Sequence, residues 1–275
     1  MLKSILYAGP FVGEFGYELF CWQGFLRKIS KTYKKIVVAC QSGHETLYKD
    51  FASEVIPFKL NLYQKNMWAA NDYKPLTFEK IFNKSKGEWI KPNQCMVRYD
   101  HRHKLDKEPF FNQFKNQEFV ELGKEDKGYG ILFHVRNKKN IVNDGVKSDY
   151  RNWDESNWNR VRLAFEGLSI ACIGTKKEAL YIDGTYDLRD ISLENLCDVM
   201  KNSRVLISPS SGPVHLASLC KCPTITWWGE PYGKENEIRF TKDWNPFASK
   251  VFPVYNEKWQ PDSEEIIEKI DLLNL

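Results

Sequence analysis

Between Arg204 and Gly229 the chain reads RVLISPSSGPVHLASLCKCPTITWWG, and the middle of that stretch holds residue types that bind an anion. The apolar run from Val205 to Ser208 predicts a buried strand, Val214 to Cys220 a helix, and Thr224 to Trp227 a second strand. A strand that passes through a small-residue turn into a helix leaves backbone N–H groups open at the helix N-terminus. The positive end of the helix dipole lies beside them and favours phosphate. Ser210 and Ser211 add hydroxyl donors, Gly212 lets a ligand approach the main chain, and Pro213 suits a first helical turn, where an N–H has no intrahelical partner. The same pattern also serves as an ordinary βαβ turn that binds nothing.

Three other residues stand where chemistry is done in α/β proteins. Arg136 ends the apolar segment GYGILFHVR, and an arginine at the end of a buried strand needs an anion or an ion-pair partner. His134 shares its face two residues earlier and equally suits a satisfied core histidine. Glu14, preceded by Gly13 and followed two residues later by Gly16, lies in a turn directly after the first predicted strand, at the edge where α/β sheets bind ligands. The plain alternative is an acidic residue favoured by the dipole at the start of the next helix, a service Glu18 already offers.

The elements that must position these residues alternate. SILYA (Ser4 to Ala8) predicts a strand, Tyr17 to Ser30 an amphipathic helix, KIVVAC a strand, SGHETLYKDFA a turn plus helix, and EVIPF a third strand. HETLY and the Lys34–Lys35 pair read as surface. From Lys59 to Lys127 the pattern blurs. Trp68, Tyr73, Trp89, Phe110 and Phe111 argue for a packed, irregular region there, not a disordered one. Alternation resumes with the strand at GYGILFHVR, a helix near Glu155 to Glu166, strand LSIACIG, a helix from Lys176, strand-like TYDLRD and a helix from Leu193 to Lys201. SEEIIEKIDLLNL predicts a last helix with Ser263 as N-cap. Strands alternating with helices imply parallel sheets with right-handed crossovers. Two such runs place one domain at 1–125 and a second at 126–275, the last helix being free to pack back on the first.

At 275 residues, 42% hydrophobic and 28% charged, the chain has the make-up of a soluble globular protein of two modest domains. No apolar run is long enough to span a membrane, and MLKSILYAGPFVGEF reads as a first strand, not a signal peptide. The seven cysteines are odd in number and lie mostly in apolar segments, which suits buried thiols in the cytoplasm. Cys220 and Cys222 have no partner pair at zinc spacing, so no metal site is expected. Residues 1–126 hold 20 Lys and Arg against 15 Asp and Glu, whereas the remainder holds 20 against 21. The positive excess is either a solvated face or a surface that meets an anionic partner.

Taken together, SLENLCDVMKNSRVLISPSSGPVHLASLCKCPTITWWG, GILFHVR followed by RNWDESNW, and ILYAGPFVGEFGYEL resemble the lipopolysaccharide heptosyltransferase family of GT-B fold glycosyltransferases. The resemblance covers about half the chain, nearly all of it in the second domain. It implies an α/β fold of two Rossmann-like domains facing across a cleft, an N-terminal one for the acceptor and a C-terminal one for the nucleotide sugar. Glu14 would then be the general base. Arg151, where the family has a lysine before its tryptophan, and Arg136 would neutralise the donor diphosphate with Ser211 and Gly212. Ser210, Gly174, Thr175 and Glu230 would face the donor sugar and nucleotide, and His215 would orient the turn or pack at the helix start.

Two departures matter: the family usually has Asp at the position of Ser210 and Asp at that of Glu14. HVR also resembles the H-x-R element of fucosyltransferases, so the donor nucleotide and sugar stay open. The activity implied is inverting, metal-independent transfer from a nucleoside-diphosphate sugar, with no further cofactor, to an anionic acceptor: a glycan, a lipid-linked saccharide or a nucleic acid. The rival readings are a nucleotide-sugar epimerase or hydrolase of the same fold, and a non-catalytic nucleotide or nucleic-acid binding module.

Overall fold

The computed structural model describes residues 3–59, 87–90, 117–138, 142–143 and 146–273, in two compact units that divide between Phe119 and Val120. Trp68, Tyr73, Phe110 and Phe111, on which the packed-region expectation rests, lie outside the described residues, as does Cys95.

In the first unit, β1 (Lys3–Ala8), β2 (Tyr33–Gln41), β3 (Glu54–Phe58) and β4 (Glu88–Ile90) form one sheet in the order β3-β2-β1-β4, every neighbouring pair parallel. The period of two sorts its faces: Tyr7, Val37 and Ala39 pack on one side with Phe58 and Trp89, and Leu6, Ile36 and Val38 fall on the other. The helix expected from Tyr17 begins two residues earlier. It runs through Phe15–Tyr17, a π-helical Glu18–Gln23 and Gly24–Ser30, together α1. It is not simply amphipathic, because every residue of the π segment is buried, Glu18 and Gln23 included. SGHETLYKDFA forms no helix. It makes one 3-10 turn, Glu45–Leu47, because Arg27 of α1 holds the Leu47 carbonyl and the Asp50 carboxylate, and Tyr48 is drawn inward to Glu18. HETLY is therefore not surface: Leu47 and Tyr48 are fully buried.

The second unit holds β5 (Ile131–Phe133), β8 (Ile170–Cys172), β9 (Tyr186–Asp187), β10 (Leu206–Pro209), β11 (Thr224–Trp228) and β12 (Val251–Tyr255) in the order β12-β11-β10-β5-β8-β9, again all parallel. A separate two-stranded ladder joins β6 (Val142–Asn143) to β7 (Val146–Lys147). Strand β12 was not foreseen, so β11 is an interior strand and its two tryptophans are sealed on opposite faces. Trp227 joins Trp153, Trp158 and Phe133 in the main core, whereas Trp228 packs with Val214, Phe240 and Trp259.

Helices α2 (Glu155–Ala164) and α3 (Leu193–Asn202) start at side-chain caps, Asp154 accepting from Ser156 N at 2.8 Å and Ser192 from Asn195 N at 3.2 Å. Helix α4 (Gly212–Leu219) connects β10 to β11. The helix expected from Lys176 is a single turn. Glu178 and Ala179 bond back to Thr175 O, but Leu180 N then donates to Val135 O and Ala179 bridges Arg136, which pulls the chain into an extended path. The last helix, α5 (Ser263–Asp271), is capped by Asp262, one residue before the expected Ser263, which is buried. Its Ile266 and Ile270 lie in the second unit's own core.

Candidate functional site

The C-terminal edge of the second unit's sheet gathers the strand ends of β5, β8 and β10, where parallel sheets bind ligands. His134 directly follows β5, and Ser208 sits within β10. Their contact is a hydrogen bond of 3.0 Å from His134 Nδ1 to Ser208 Oγ. Ser211 Oγ completes a triangle, 3.1 Å from His134 Nδ1 and 3.0 Å from Ser208 Oγ. Ser208 Oγ also donates to Pro209 O at 2.8 Å, and which atom donates within the triangle follows the tautomer of the His134 ring. Burial, then the charges of Arg136 and Lys138, push the His134 pKa down to about 3, which keeps the ring neutral. Gly174 closes the other side of the ring at φ +112°; a Cβ there would stand 3.0 Å from His134 Cδ2.

The turn into α4 offers fewer N–H groups than the sequence pattern suggests. Ser210 N donates to Trp227 O at 2.8 Å, Val214 N donates to Ser211 O at 3.1 Å, and Pro213 has none. Among the described residues the N–H groups of Ser211 and Gly212 have no acceptor, and they stand beside the Ser211 hydroxyl at the half-buried mouth of the helix. The donors this turn can offer an anion therefore come down to two amides and one hydroxyl.

Arg136 and Arg151 occupy different surroundings. Arg136 is buried and its Nη1 donates to Asn152 Oδ1 at 2.6 Å, which ties the end of β5 to the RNW segment. Arg151 lies in an aromatic box, its guanidinium 4.7 Å from the Trp259 ring and 5.4 Å from that of Tyr232, with Nη2 donating to Tyr232 OH at 2.7 Å and Nε to Tyr150 OH at 3.3 Å. No carboxylate pairs with it among the described residues. Burial opposes its charge but the two tyrosines outweigh it, and its pKa is raised. Glu230 belongs to the same group: Tyr255 OH donates to its carboxylate and Trp259 Nε1 to its carbonyl, and the tyrosine's pKa is pushed up to about 12 by that bond. Gln260 joins the two neighbourhoods by donating to the carbonyls of Tyr150 and Asn152.

Thr175 is exposed, its carbonyl holding the turn that follows. His215 is buried beside two aromatic rings, its own ring 4.4 Å from Trp244 and stacked on Phe240, with Nε2 3.4 Å from Arg239 Nη2. Burial and then Arg239 hold its pKa well below the usual imidazole value. In the first unit Glu14 is the exposed residue immediately before α1. Its backbone carbonyl accepts from Tyr17 N and Glu18 N, and its side chain makes no capping bond. The left-handed residue of that turn is Gly9, at φ +106°, and not Gly13.

Sequence reasoning missed Ser208, Asn152, Tyr150, Tyr232 and Trp259. A serine inside an otherwise apolar strand was a usable signal for the first; the others come from segments whose contacts depend on the fold. Among the described residues no three His, Cys, Asp or Glu side chains gather as a metal site would need, and no helix is long and apolar enough to cross a membrane.

No family model matches the sequence, and no curated protein does. Solved structures do. A glycosyl transferase of family 9 from Veillonella parvula is similar over 98% of this chain and 97% of its own, with TM-score 0.62 at 12% identity. E. coli heptosyltransferase WaaC with ADP is similar over 98% of this chain and 100% of its own, with TM-score 0.56 at 12% identity. The E. coli ADP-heptose LPS heptosyltransferase II gives 98% of each chain and TM-score 0.55 at 13% identity. At these identities the likeness is one of fold: two α/β units with parallel sheets, the GT-B fold that the sequence resemblance implies.

Proposed function

We propose that this chain is an inverting glycosyltransferase that moves a sugar from a nucleoside-diphosphate sugar to an acceptor hydroxyl, in the cytoplasm and without calling on a metal ion. The observation that carries the reading is the strand-end cluster of the second unit. Two amides with no acceptor among the described residues and a hydroxyl bonded to a neutral histidine sit at a helix N-terminus, within a fold shared with heptosyltransferase structures. Preorganised donors of this kind stabilise charge as it builds on a leaving diphosphate, the largest single term in many transfer reactions. In this reading Arg136 and Arg151 add positive charge, and Glu230 accepts from a ribose or sugar hydroxyl. Ser210, Gly174 and Thr175 line the sugar and nucleotide positions. Glu14 takes the acceptor's proton, and the positive excess of the first half favours an anionic acceptor. Two of the similar E. coli structures are of heptosyltransferase WaaC with ADP and with ADP-2-deoxy-2-fluoro heptose, which makes an ADP-sugar the first donor to try.

The test is a melting screen with ADP, GDP, UDP and CDP. A ligand that binds the folded state alone stabilises it by mass action, about 2.7 kcal/mol at a hundred times Kd, so one diphosphate is expected to raise Tm clearly. If none does, the donor-site reading fails. With the donor known, Glu14→Gln is expected to abolish transfer while nucleotide binding stays near wild type; unchanged turnover would remove Glu14 from the proton step.

A further inference from the structure

The first unit holds a second ionisable group that none of the assignments above uses. Glu18 opens the π segment of α1 with its carboxylate fully buried, and π segments gather at functional sites. Its Oε2 accepts from His44 Nδ1 at 2.6 Å and its Oε1 from Tyr48 OH at 2.7 Å. Taking a carboxylate out of water costs several kcal/mol, so two short bonds are the least it requires. Placed on Nδ1, the carboxylate also decides the chemistry of the ring: it fixes the tautomer, turns the lone pair of Nε2 outward, and stabilises the imidazolium that would form. The edge of Phe15, the residue after Glu14, lies against the same ring with centroids 5.2 Å apart. The His44 side chain is 24% exposed where Glu18 is 0%, and Nε2 has no partner among the described residues.

The surrounding groups leave this pair as the place where a proton can rest. Burial disfavours a charged His44, but Glu18, by charge and hydrogen bond, and then Glu45 outweigh it and raise its pKa. Glu45 is itself fixed by Gly43 N at 2.7 Å. Beneath the ring, burial and Glu18 push the Cys40 thiol up to about 12 and Tyr48 well above the usual phenol, so both stay neutral.

We propose that His44, oriented by Glu18, is the final proton acceptor of the transfer reaction. As the acceptor oxygen bonds the anomeric carbon and the carbon–diphosphate bond breaks, the hydroxyl proton leaves by way of Glu14 and ends on His44 Nε2. The electron pair of the broken bond leaves with the diphosphate, and the imidazolium gives its proton to water after release. An imidazole backed by a buried carboxylate holds an alcohol's proton well. The proposal rests on the glycosyl-transfer reading.

The test compares wild type, His44→Asn, which keeps an N–H toward Glu18 but removes Nε2, and Glu18→Gln. Wild-type kcat is expected to fall as pH drops through the raised imidazole pKa, because the acceptor must be unprotonated. His44→Asn is expected to lower kcat by roughly 10²–10⁴-fold at unchanged donor KM and to remove that acid limb. Glu18→Gln is expected to shift the limb to lower pH. An NMR titration of the His44 ring in wild type and Glu18→Gln reads the same shift without substrate. An active wild type with His44→Asn matching it in kcat and acid limb overturns this proposal alone, and so does a His44 titration that Glu18→Gln leaves unmoved. A wild type that transfers no sugar from any donor overturns the glycosyl-transfer reading, and this proposal with it.

Discussion

Gly174→Ala tests whether the strand-end cluster is as tightly built as its distances imply. Gly174 has φ +112°, where a side chain is strained at a cost of about 1–3 kcal/mol. The new methyl would also lie 2.9 Å from Ala179 Cβ and 3.0 Å from His134 Cδ2. Neither neighbour gives way easily, since Ala179 bridges Arg136 and His134 is buried and bonded to Ser208 and Ser211. Overpacking of this kind adds about 1–3 kcal/mol. A combined loss of about 3 kcal/mol, at roughly 2–4 °C per kcal/mol for a unit of this size, lowers Tm by roughly 6–12 °C. Circular dichroism melts of the variant and of Gly167→Ala make the comparison, because a Cβ at Gly167 meets nothing within 4 Å. The control is expected to melt within about 2 °C of wild type. Displacing the His134 ring should also release Ser211, so the nucleotide that stabilises wild type should give the variant little or no further rise. If Gly174→Ala melts like the control and keeps its nucleotide response, the account of this cluster is wrong.

Ser211→Ala is expected to leave the unliganded Tm nearly unchanged, because His134 and Ser208 still bond each other at 3.0 Å. It should weaken the bound nucleoside diphosphate by roughly 10–150-fold in Kd by calorimetry, the equivalent of one lost hydrogen bond to a charged group. His134→Asn is expected to flatten part of the acid dependence of stability. The folded histidine protonates only near pH 3 against its ordinary 6.5, so its contribution is intact above pH 6.5 and declines as pH falls toward 3. The slope is about 1.4 kcal/mol per pH unit, close to 2 kcal/mol by pH 5. Urea midpoints of the two proteins at pH 7.5 and 5 measure it. His215, shifted in the same direction, cancels in the comparison, and equal losses in both proteins would refute the assignment.

What was legible in the sequence was the periodic part. Strands β1, β2, β3 and β10, helix α3 and the β10–α4–β11 unit were placed to within a few residues, because long apolar runs and an amphipathic helix announce themselves locally. Failures came where a distant partner overrode a local preference. The Lys176 segment had helical residues but paired with Val135 and Arg136, just beyond β5, and the Glu45 segment was held open by Arg27 and Glu18 of α1. Strand β12 escaped although it shares β3's length, proline and edge position, because only short 3-10 and π turns, and no α-helix, precede it to signal the alternation.

The sequence alone determined that two parallel α/β units form and that a helix N-terminus follows β10 with hydroxyls beside it, since these depend on residues adjacent in the chain. It could not decide which N–H groups and hydroxyls stay free, because that depends on acceptors elsewhere: Trp227 O takes the Ser210 amide, and His134, far upstream, holds Ser211. Only the tertiary structure decided that Glu18 is a buried partner of His44 and not a helix-dipole charge at the surface. Burial sets the cost of a charge, and burial is a property of the packed molecule, not of any window of sequence.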